Sequence, residues 1–224
     1  MEYLPNGYTL TIAEGCFPLS TDSMVLSHFI RLPKNARVLD LGSGCGTLGL
    51  LLCSQNDSCH ITGLELNEAA HRCALENIAA NTLHHRLQSI CTDLRTYAES
   101  GFDVCVSNPP YFSGGPAAAL TSARREDSCT ISQLFQAAAK ALRYGGNFYL
   151  VHRPERLAQL CACAADNGLA PKRLMLVRHK EGGSVSLVLL ACRKGGKPGL
   201  SWEELTLHHA DGTPTQAYKS IYHI

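Results

Sequence analysis

The stretch ARVLDLGSGCG, residues 36–46, decides the fold of this chain. Its first six residues are mostly apolar and are typical of a strand buried in a parallel sheet. The second half is a loop with a glycine at every other position, and residues 47–54 after it favour a helix. Glycines at such a place let the backbone approach a ligand closely. The stretch therefore predicts a strand, a ligand-binding loop and a helix in direct succession.

Strands and helices continue to alternate after this unit. Further strands are predicted at residues 60–64, 87–91, 102–106, 147–151, 173–178 and 184–192, and the last two form a hairpin. This order predicts an α/β fold with a seven-stranded, mostly parallel sheet, a C-terminal antiparallel hairpin and helices on both faces. We expect a single domain made of an N-terminal extension (1–35), a core (36–192) and a less regular C-terminal tail (193–224).

Polar side chains stand where four successive predicted strands end. They are Asp40, Glu65, Asp93 and Asn108. Ligands of open parallel sheets bind at the carboxyl ends of the strands, because the loops that follow the strands meet there. Four polar positions at four successive ends are more specific than any one of them, and they predict a single ligand site.

The glycine loop is compatible with two cofactors. Gly44, Gly46 and Gly49 match the dinucleotide fingerprint, and Glu65 lies 21 residues after Gly44, so an NAD-dependent oxidoreductase is one reading. A pyrophosphate would, however, be repelled by the carboxylate of Asp40 just ahead of the glycines. S-adenosylmethionine carries no phosphate and has a cationic amino-acid end, which favours it as the cofactor. In that reading Glu65 accepts hydrogen bonds from the ribose hydroxyls.

The stretch Ser107-Asn108-Pro109-Pro110-Tyr111 follows a buried strand and does not suit the interior of a sheet. Two consecutive prolines fix φ twice and supply no backbone donor, so the strand ends there in a stiff turn. The turn presents the Asn108 amide, two carbonyl oxygens and the Tyr111 ring. Two acceptors beside an aromatic face suit a planar group that carries an NH2, such as a nucleobase amine or a carboxamide.

Composition and charge indicate the compartment of the protein and the kinds of partner it has. The 224 residues contain no apolar run long enough for a membrane span and begin with no signal peptide, so we expect a cytoplasmic enzyme without membrane contact. Eleven cysteines without paired metal-ligand spacing are expected to be buried thiols in a reducing compartment, with no metal site. Residues 1–111 carry six basic against eleven acidic side chains, and residues 112–224 carry fourteen against eight. The basic second half favours contact with a polyanion.

Taken together, the glycine loop and the Asn-Pro-Pro-Tyr turn resemble the class I S-adenosylmethionine-dependent methyltransferases that methylate amino groups, which have a Rossmann-like fold. Four further segments, residues 17–23, 123–126, 171–173 and 221–222, narrow the resemblance. With them the chain is similar over nearly its whole length to the bacterial family of tRNA (adenine-N6)-methyltransferases that modify adenosine 37 of a valine tRNA.

The resemblance implies roles for individual residues. The N-terminal extension around Asp22 becomes part of the active-site wall, and residues 108–111 hold the target amine. The cofactor-binding candidates are Asp22, Asp40, Gly42, Gly44, Gly46, Glu65, Leu66, Asp93, Leu94 and Asn108. The catalytic candidates are Asn108, Pro109, Pro110 and Tyr111. The RNA-binding candidates, chosen as basic clusters of the second half, are Arg124, Arg125, Lys172, Arg173, Arg178 and Lys180, with Arg193 and Lys194 as a further pair.

Other functions use the same motif. Glutamine-N5 methyltransferases that act on release factors carry it, but they have a helical substrate domain for which residues 1–35 leave no room. Methylation of adenine in another RNA or in DNA also fits, and so does a module that binds the cofactor without reacting. The expected partner is tRNA, and a monomer is favoured.

Overall fold

The structure, a computed structural model, describes residues 2–4, 7–109 and 129–223. The strands are β1 (Glu2–Tyr3), β2 (Thr9–Leu10), β3 (Arg37–Leu41), β4 (His60–Glu65), β5 (Leu87–Cys91), β6 (Phe102–Ser107), β7 (Leu142–His152), β8 (Leu169–Lys180), β9 (Val185–Lys194) and β10 (Ser201–His208). The helices are α1 (Thr21–Phe29), α2 (Thr47–Gln55), α3 (Glu68–Ala80), α4 (Ile131–Ala141), α5 (Leu157–Asp166) and α6 (Gln216–Tyr222). None of these helices is long and apolar enough to cross a membrane.

The central sheet has eight strands in the order β10-β8-β9-β7-β6-β3-β4-β5. Only β9 runs antiparallel to its neighbours, β7 and β8, and the other pairs are parallel. The expected fold class and the C-terminal hairpin are therefore confirmed. The expected count of seven strands is one too low, because β10 adds a parallel edge strand beside β8.

The core forms one apolar layer on each face of the sheet. Alternate residues of each strand point to opposite faces, so Val38 packs in the layer that contains α1 and α2, and Leu39 packs in the layer that contains α4 and α5. Both side chains are fully buried. The helices on both faces hold the parallel strands in register and leave the carboxyl edge of the sheet open for a site.

Local sequence signals place the helices that border this edge. Ser20 caps α1, Asn67 caps α3 through two backbone N–H groups, and Thr130 forms a capping box with Gln133 at the start of α4. Each cap supplies an acceptor to backbone N–H groups that have no partner in the first turn of the helix.

Two boundaries differ from expectation. Strand β7 begins at Leu142 and not at residue 147, because Leu142 already has extended backbone directly after helix α4 ends at Ala141. The expectation of a less regular tail is wrong for β10 and α6, which cover residues 201–208 and 216–222.

Candidate active site

A cleft of about 750 Å³ lies at the carboxyl edge of the sheet. Its floor is made by the ends of β3, β4 and β6, and one wall by the first turn of α4. The opposite wall is an N-terminal segment, residues 9–18, of which Gly15, Cys16, Phe17 and Pro18 line the cleft.

The structure brings most of the predicted site residues together here. The cleft is lined by Asp22, Asp40, Gly42, Gly44, Glu65, Leu66, Asp93, Leu94, Asn108 and Pro109. Gly46 does not line it. It has a φ of 82° at the start of α2, and a Cβ there would lie 3.5 Å from the Cβ of Ala74, so its glycine serves the turn into the helix. The predicted Pro110, Tyr111, Arg124 and Arg125 lie outside the described residues.

Glu65 is fixed by backbone donors from two loops. The Gly44 N–H donates to its Oε2 at 2.8 Å, and the Asn67 N–H donates to its Oε1 at 2.7 Å. Gly42 and Gly44 have positive φ, and a Cβ on either would meet nothing within 4 Å, so the loop leaves open space beside the carboxylate. This side chain can accept further hydrogen bonds from a diol, since each carboxylate oxygen has two lone pairs.

Asp40 is a buried carboxyl group at the bottom of the cleft. Its residue is only 2% exposed, and burial, helped by the negative charge of Glu65, raises the pKa of Asp40 to about 7. Asp40 Oδ2 and the nearby Ser43 Oγ have no hydrogen-bond partner among the described residues. Buried polar atoms without partners are rare in native structures, so these two atoms are candidates for contacts with a water or a ligand. The ammonium and hydroxyl groups of S-adenosylmethionine supply the donors that these atoms need, so the residues present fit that cofactor.

Asp93 already has a partner within the chain. Arg95 Nε donates to Asp93 Oδ1 at 3.0 Å and to Oδ2 at 2.9 Å, and the Arg95 N–H donates to Oδ1 at 2.9 Å. These hydrogen bonds lower the pKa of Asp93. A ligand amine at this position would share the carboxylate with Arg95, which sequence reasoning did not identify.

Asn108 is held by a residue of α1. Its Nδ2 donates to Ser23 Oγ at 3.0 Å, which directs the amide oxygen to the other side of the group. The strand end is fixed one residue earlier, where Ser107 Oγ donates to the Leu41 carbonyl at 2.8 Å. Neither serine was predicted as a site residue. The available signal was weak: Ser23 follows Asp22, which the resemblance had placed in the active-site wall.

The N-terminal segment is clamped to α3 by two asparagines. Asn81 Oδ1 accepts from the Thr9 N–H, and Asn81 Nδ2 donates to the Thr9 carbonyl, both at 2.8 Å. Asn77 repeats the pattern with Thr11 at 2.8 Å, and its Nδ2 also donates to the Cys45 carbonyl of the glycine loop at 2.9 Å. Asn77 therefore ties a wall of the cleft to its floor. The four-residue spacing of the two asparagines on one helix face was the available signal.

The predicted RNA-binding residues of β8 fall at two ends of the sheet. Arg178 and Lys180 lie at the edge that carries the cleft, whereas Lys172 and Arg173 lie toward the opposite edge. Arg173 ion-pairs with Glu203 at 2.9 Å, and Arg178 is 3.5 Å from a carboxylate oxygen of Glu204. The two arginines are therefore engaged within the chain.

Known proteins are similar to this chain in sequence. The family model described as methyltransferase small domain matches residues 20–159. A protein of Tolumonas auensis is 35% identical over 198 residues, which are 86% of this chain and 83% of the relative. A protein of Aeromonas hydrophila is 32% identical, over 89% of this chain and 86% of the relative. Both relatives are named tRNA1(Val) (adenine(37)-N6)-methyltransferase.

Solved structures share the fold at low sequence identity. One, described as a predicted O-methyltransferase of Agrobacterium tumefaciens, has a TM-score of 0.77 and 18% identity and covers 91% of this chain and 96% of its own. A 16S rRNA N2 methyltransferase of T. thermophilus, in complex with AdoMet and guanosine, has a TM-score of 0.58 and 23% identity. It covers 81% of this chain and 45% of its own. At these identities the likeness shows the fold alone.

Proposed function

Because the chain belongs to the methyltransferase small-domain family and to the family of tRNA1(Val) (adenine(37)-N6)-methyltransferases, we propose that it methylates the N6 amine of adenosine 37 in a valine tRNA. The chain is an S-adenosylmethionine-dependent methyltransferase with a class I fold. We further propose that it works as one domain, in which residues 1–35 cover the active site.

The observation that carries the proposal is the position of Asn108 in the cleft, where its amide NH2 donates to Ser23. On the same cleft floor lies a buried oxygen of Asp40 that has no partner among the described residues. The Asn108 amide suits the amine that is methylated, and the Asp40 carboxylate suits a cationic cofactor.

Each part of the cofactor has a residue of suitable chemistry. Asp40 would hold the α-ammonium group, the glycine loop would approach the amino-acid end, and Glu65 would accept from the ribose hydroxyls. Leu66, with 53% of its surface exposed, offers an apolar face for the adenine, and Asp93 offers an acceptor for its amine. When bound, S-adenosylmethionine supplies an electrophilic methyl group on its sulfonium.

Asn108 and Pro109 would act on the target amine. The N6 nitrogen of adenine is a poor nucleophile because its lone pair is delocalised into the ring. If the Asn108 amide oxygen and the Pro109 carbonyl oxygen accept its two N–H bonds, the nitrogen is drawn toward sp3 and its lone pair is directed at the methyl group. This is positioning with electrostatic stabilisation, and no strong base is required, since the methylated nitrogen is acidic and loses its proton readily.

The target base would enter the cleft flipped out of its stack. Tyr111 is the candidate for stacking on it, a contact worth about 1–3 kcal/mol in other proteins. Arg178 and Lys180, at the same edge of the sheet, are candidates for contacts with the flanking phosphates.

The test separates binding from turnover. Unmodified tRNA is incubated with labelled S-adenosylmethionine and either the wild type or Asn108→Ala, and cofactor affinity is measured by calorimetry. We expect the variant to bind the cofactor with an unchanged Kd and to lose about 100- to 1,000-fold in kcat, as for loss of one key transition-state contact. A variant that loses cofactor binding in parallel would contradict the role assigned to Asn108.

A further inference from the structure

A second concavity, of about 460 Å³, lies at the amino edge of the sheet, away from the cleft. It is formed where β7 begins, where β9 ends and where β8 begins. Its side chains define what we call the distal basic site: Arg143, Tyr144, Lys172, Arg193, Lys194 and Lys197.

Most cations of this site have no acidic partner among the described residues. Within residues 2–4, 7–109 and 129–223, Lys172, Arg193, Lys194 and Lys197 form no ion pair, and only Arg143 has an acidic partner, Asp103. Elsewhere the arginines at positions 37, 72, 95, 173 and 178 each pair with a carboxylate. The distal basic site therefore concentrates uncompensated positive charge in a chain whose net charge is only +1.

Two of the positive groups, Lys172 and Lys194, are held in place by hydrogen bonds. Lys172 Nζ donates to the Lys197 carbonyl at 3.0 Å, and Lys194 Nζ donates to the Leu142 carbonyl at 2.7 Å. Each ammonium has three N–H bonds, so each retains donors for an external anion. A site with fixed donors loses less side-chain entropy when it binds.

An exposed aromatic ring completes the site. Tyr144 is 77% exposed, and its hydroxyl donates to the Gly195 carbonyl at 3.1 Å. A Cβ on Gly195 would lie 2.0 Å from the Tyr144 ring, so the ring rests directly on the glycine backbone. A fixed ring beside a cationic groove is the combination that proteins use for single-stranded nucleic acids.

We propose that the distal basic site binds the sugar–phosphate backbone of the tRNA substrate, at a point separate from the methylated loop. The partner follows from the proposed function, on which this inference rests. Along β7, the distal basic site and the cleft are about 17 Å apart. Gly145 lines the distal basic site and lies five residues before Leu150, which pairs with Ser107 at the cleft edge. Each step between neighbouring strands adds about 20–25° of twist, which turns the amino end of β8 and the carboxyl end of β9 away from the amino ends of β3 and β6. The substrate would then touch the enzyme at two points.

The experiment uses the double variant Arg193→Gln/Lys197→Gln, because both side chains are exposed and neither touches the cleft. The matched control is Arg31→Gln/Lys34→Gln, which removes the same charge from two exposed cations outside the site. Both are compared with the wild type in filter binding to full-length valine tRNA over a range of salt concentrations. Methylation kinetics are then measured on that tRNA and on its anticodon stem–loop alone.

We expect the first double variant to bind full-length tRNA with a salt slope reduced by about 0.7–0.9 per lost phosphate contact. At 0.1 M salt this corresponds to about 5- to 8-fold weaker binding per contact. KM for the full-length tRNA should rise accordingly, while kcat, and KM for the stem–loop, should stay unchanged.

Three results would overturn the inference: wild-type affinity and salt slope in the double variant, an equal loss in the control, or an equal loss on the stem–loop. Wild-type enzyme that binds tRNA through Arg193 and Lys197 but does not methylate it would sink the proposed function and leave this inference standing.

Discussion

Removing the charge of Asp40 should stabilise the protein while it weakens cofactor binding. Burial raises the pKa of Asp40 from 3.8 to about 7. A carboxyl group whose pKa is raised on folding contributes most stability below its unfolded pKa and loses that contribution as the pH rises through its folded pKa. With 1.36 kcal/mol per pH unit, the ionised form costs the ligand-free wild type about 4 kcal/mol above pH 7. Asp40→Asn removes this cost and adds about 1–3 kcal/mol for an amide without full hydrogen bonding.

The pH dependence of stability separates the cost of the ionised carboxylate from the cost of the amide. At about pH 5 Asp40 is largely protonated in the folded state, whereas in the unfolded state it is largely ionised, and the cost is near 1.6 kcal/mol. At about pH 8 the full cost applies. The free energy of unfolding is measured for both proteins by urea denaturation without ligand. The difference between Asp40→Asn and the wild type should increase by about 2–3 kcal/mol from about pH 5 to about pH 8, because the cost of the amide is the same at both pH values.

Cofactor affinity should move in the opposite direction. Loss of a charged hydrogen bond to the ammonium group, worth about 1.5–3 kcal/mol, should weaken binding of S-adenosylmethionine by roughly 10- to 150-fold in calorimetry. Asp57→Asn, at an exposed carboxylate, is the control and should change neither quantity. A stability difference that does not widen with pH, or an unchanged Kd, would refute the role of Asp40.

Three further variants test the supports of the site. Ser23→Ala removes the acceptor of the Asn108 amide NH2 and should lower kcat about tenfold, the worth of one hydrogen bond, with cofactor Kd unchanged in single-turnover and binding assays; equal losses in both would refute it. Asn77→Leu should loosen the N-terminal segment, so that cofactor binds at least tenfold more weakly and limited proteolysis of the segment becomes faster; unchanged proteolysis would speak against the clamp. Arg95→Ala removes the main cause of the lowered pKa of Asp93, so the acid-side loss of cofactor affinity due to Asp93, which lies below the loss due to Asp40, should move to higher pH; if this acid-side step does not move, Asp93 does not contact the ligand.

The fold and the floor of the site were predictable because they depend on local patterns. Apolar runs followed by Asp40, Glu65 or Asn108 mark the carboxyl ends of buried strands, and the topology of parallel sheets brings those ends together. The clamp formed by Asn77 and Asn81 was not predictable in the same way, since its partners are more than 60 residues distant in the chain.

The edge strand β10 escaped prediction for a physical reason. Its first four residues are all exposed, so the sequence shows no alternating apolar pattern there. Its pairing with β8 depends on backbone hydrogen bonds, which any sequence can make. Basic residues posed a related difficulty. Charge composition indicated a polyanion partner, but only the structure separates Arg173, which has an internal carboxylate partner, from Arg193, which has no ion pair among the described residues.

The measurement that tests the central claim most directly is the mapping of the methyl group after reaction with the wild type. Unmodified valine tRNA and an unmodified release factor are offered together with labelled S-adenosylmethionine, and each product is digested and analysed by mass spectrometry. We predict N6-methyladenosine in the RNA fragment that contains nucleotide 37, and no labelled peptide. Label on a glutamine of the release factor, with none on the tRNA, would contradict the claim.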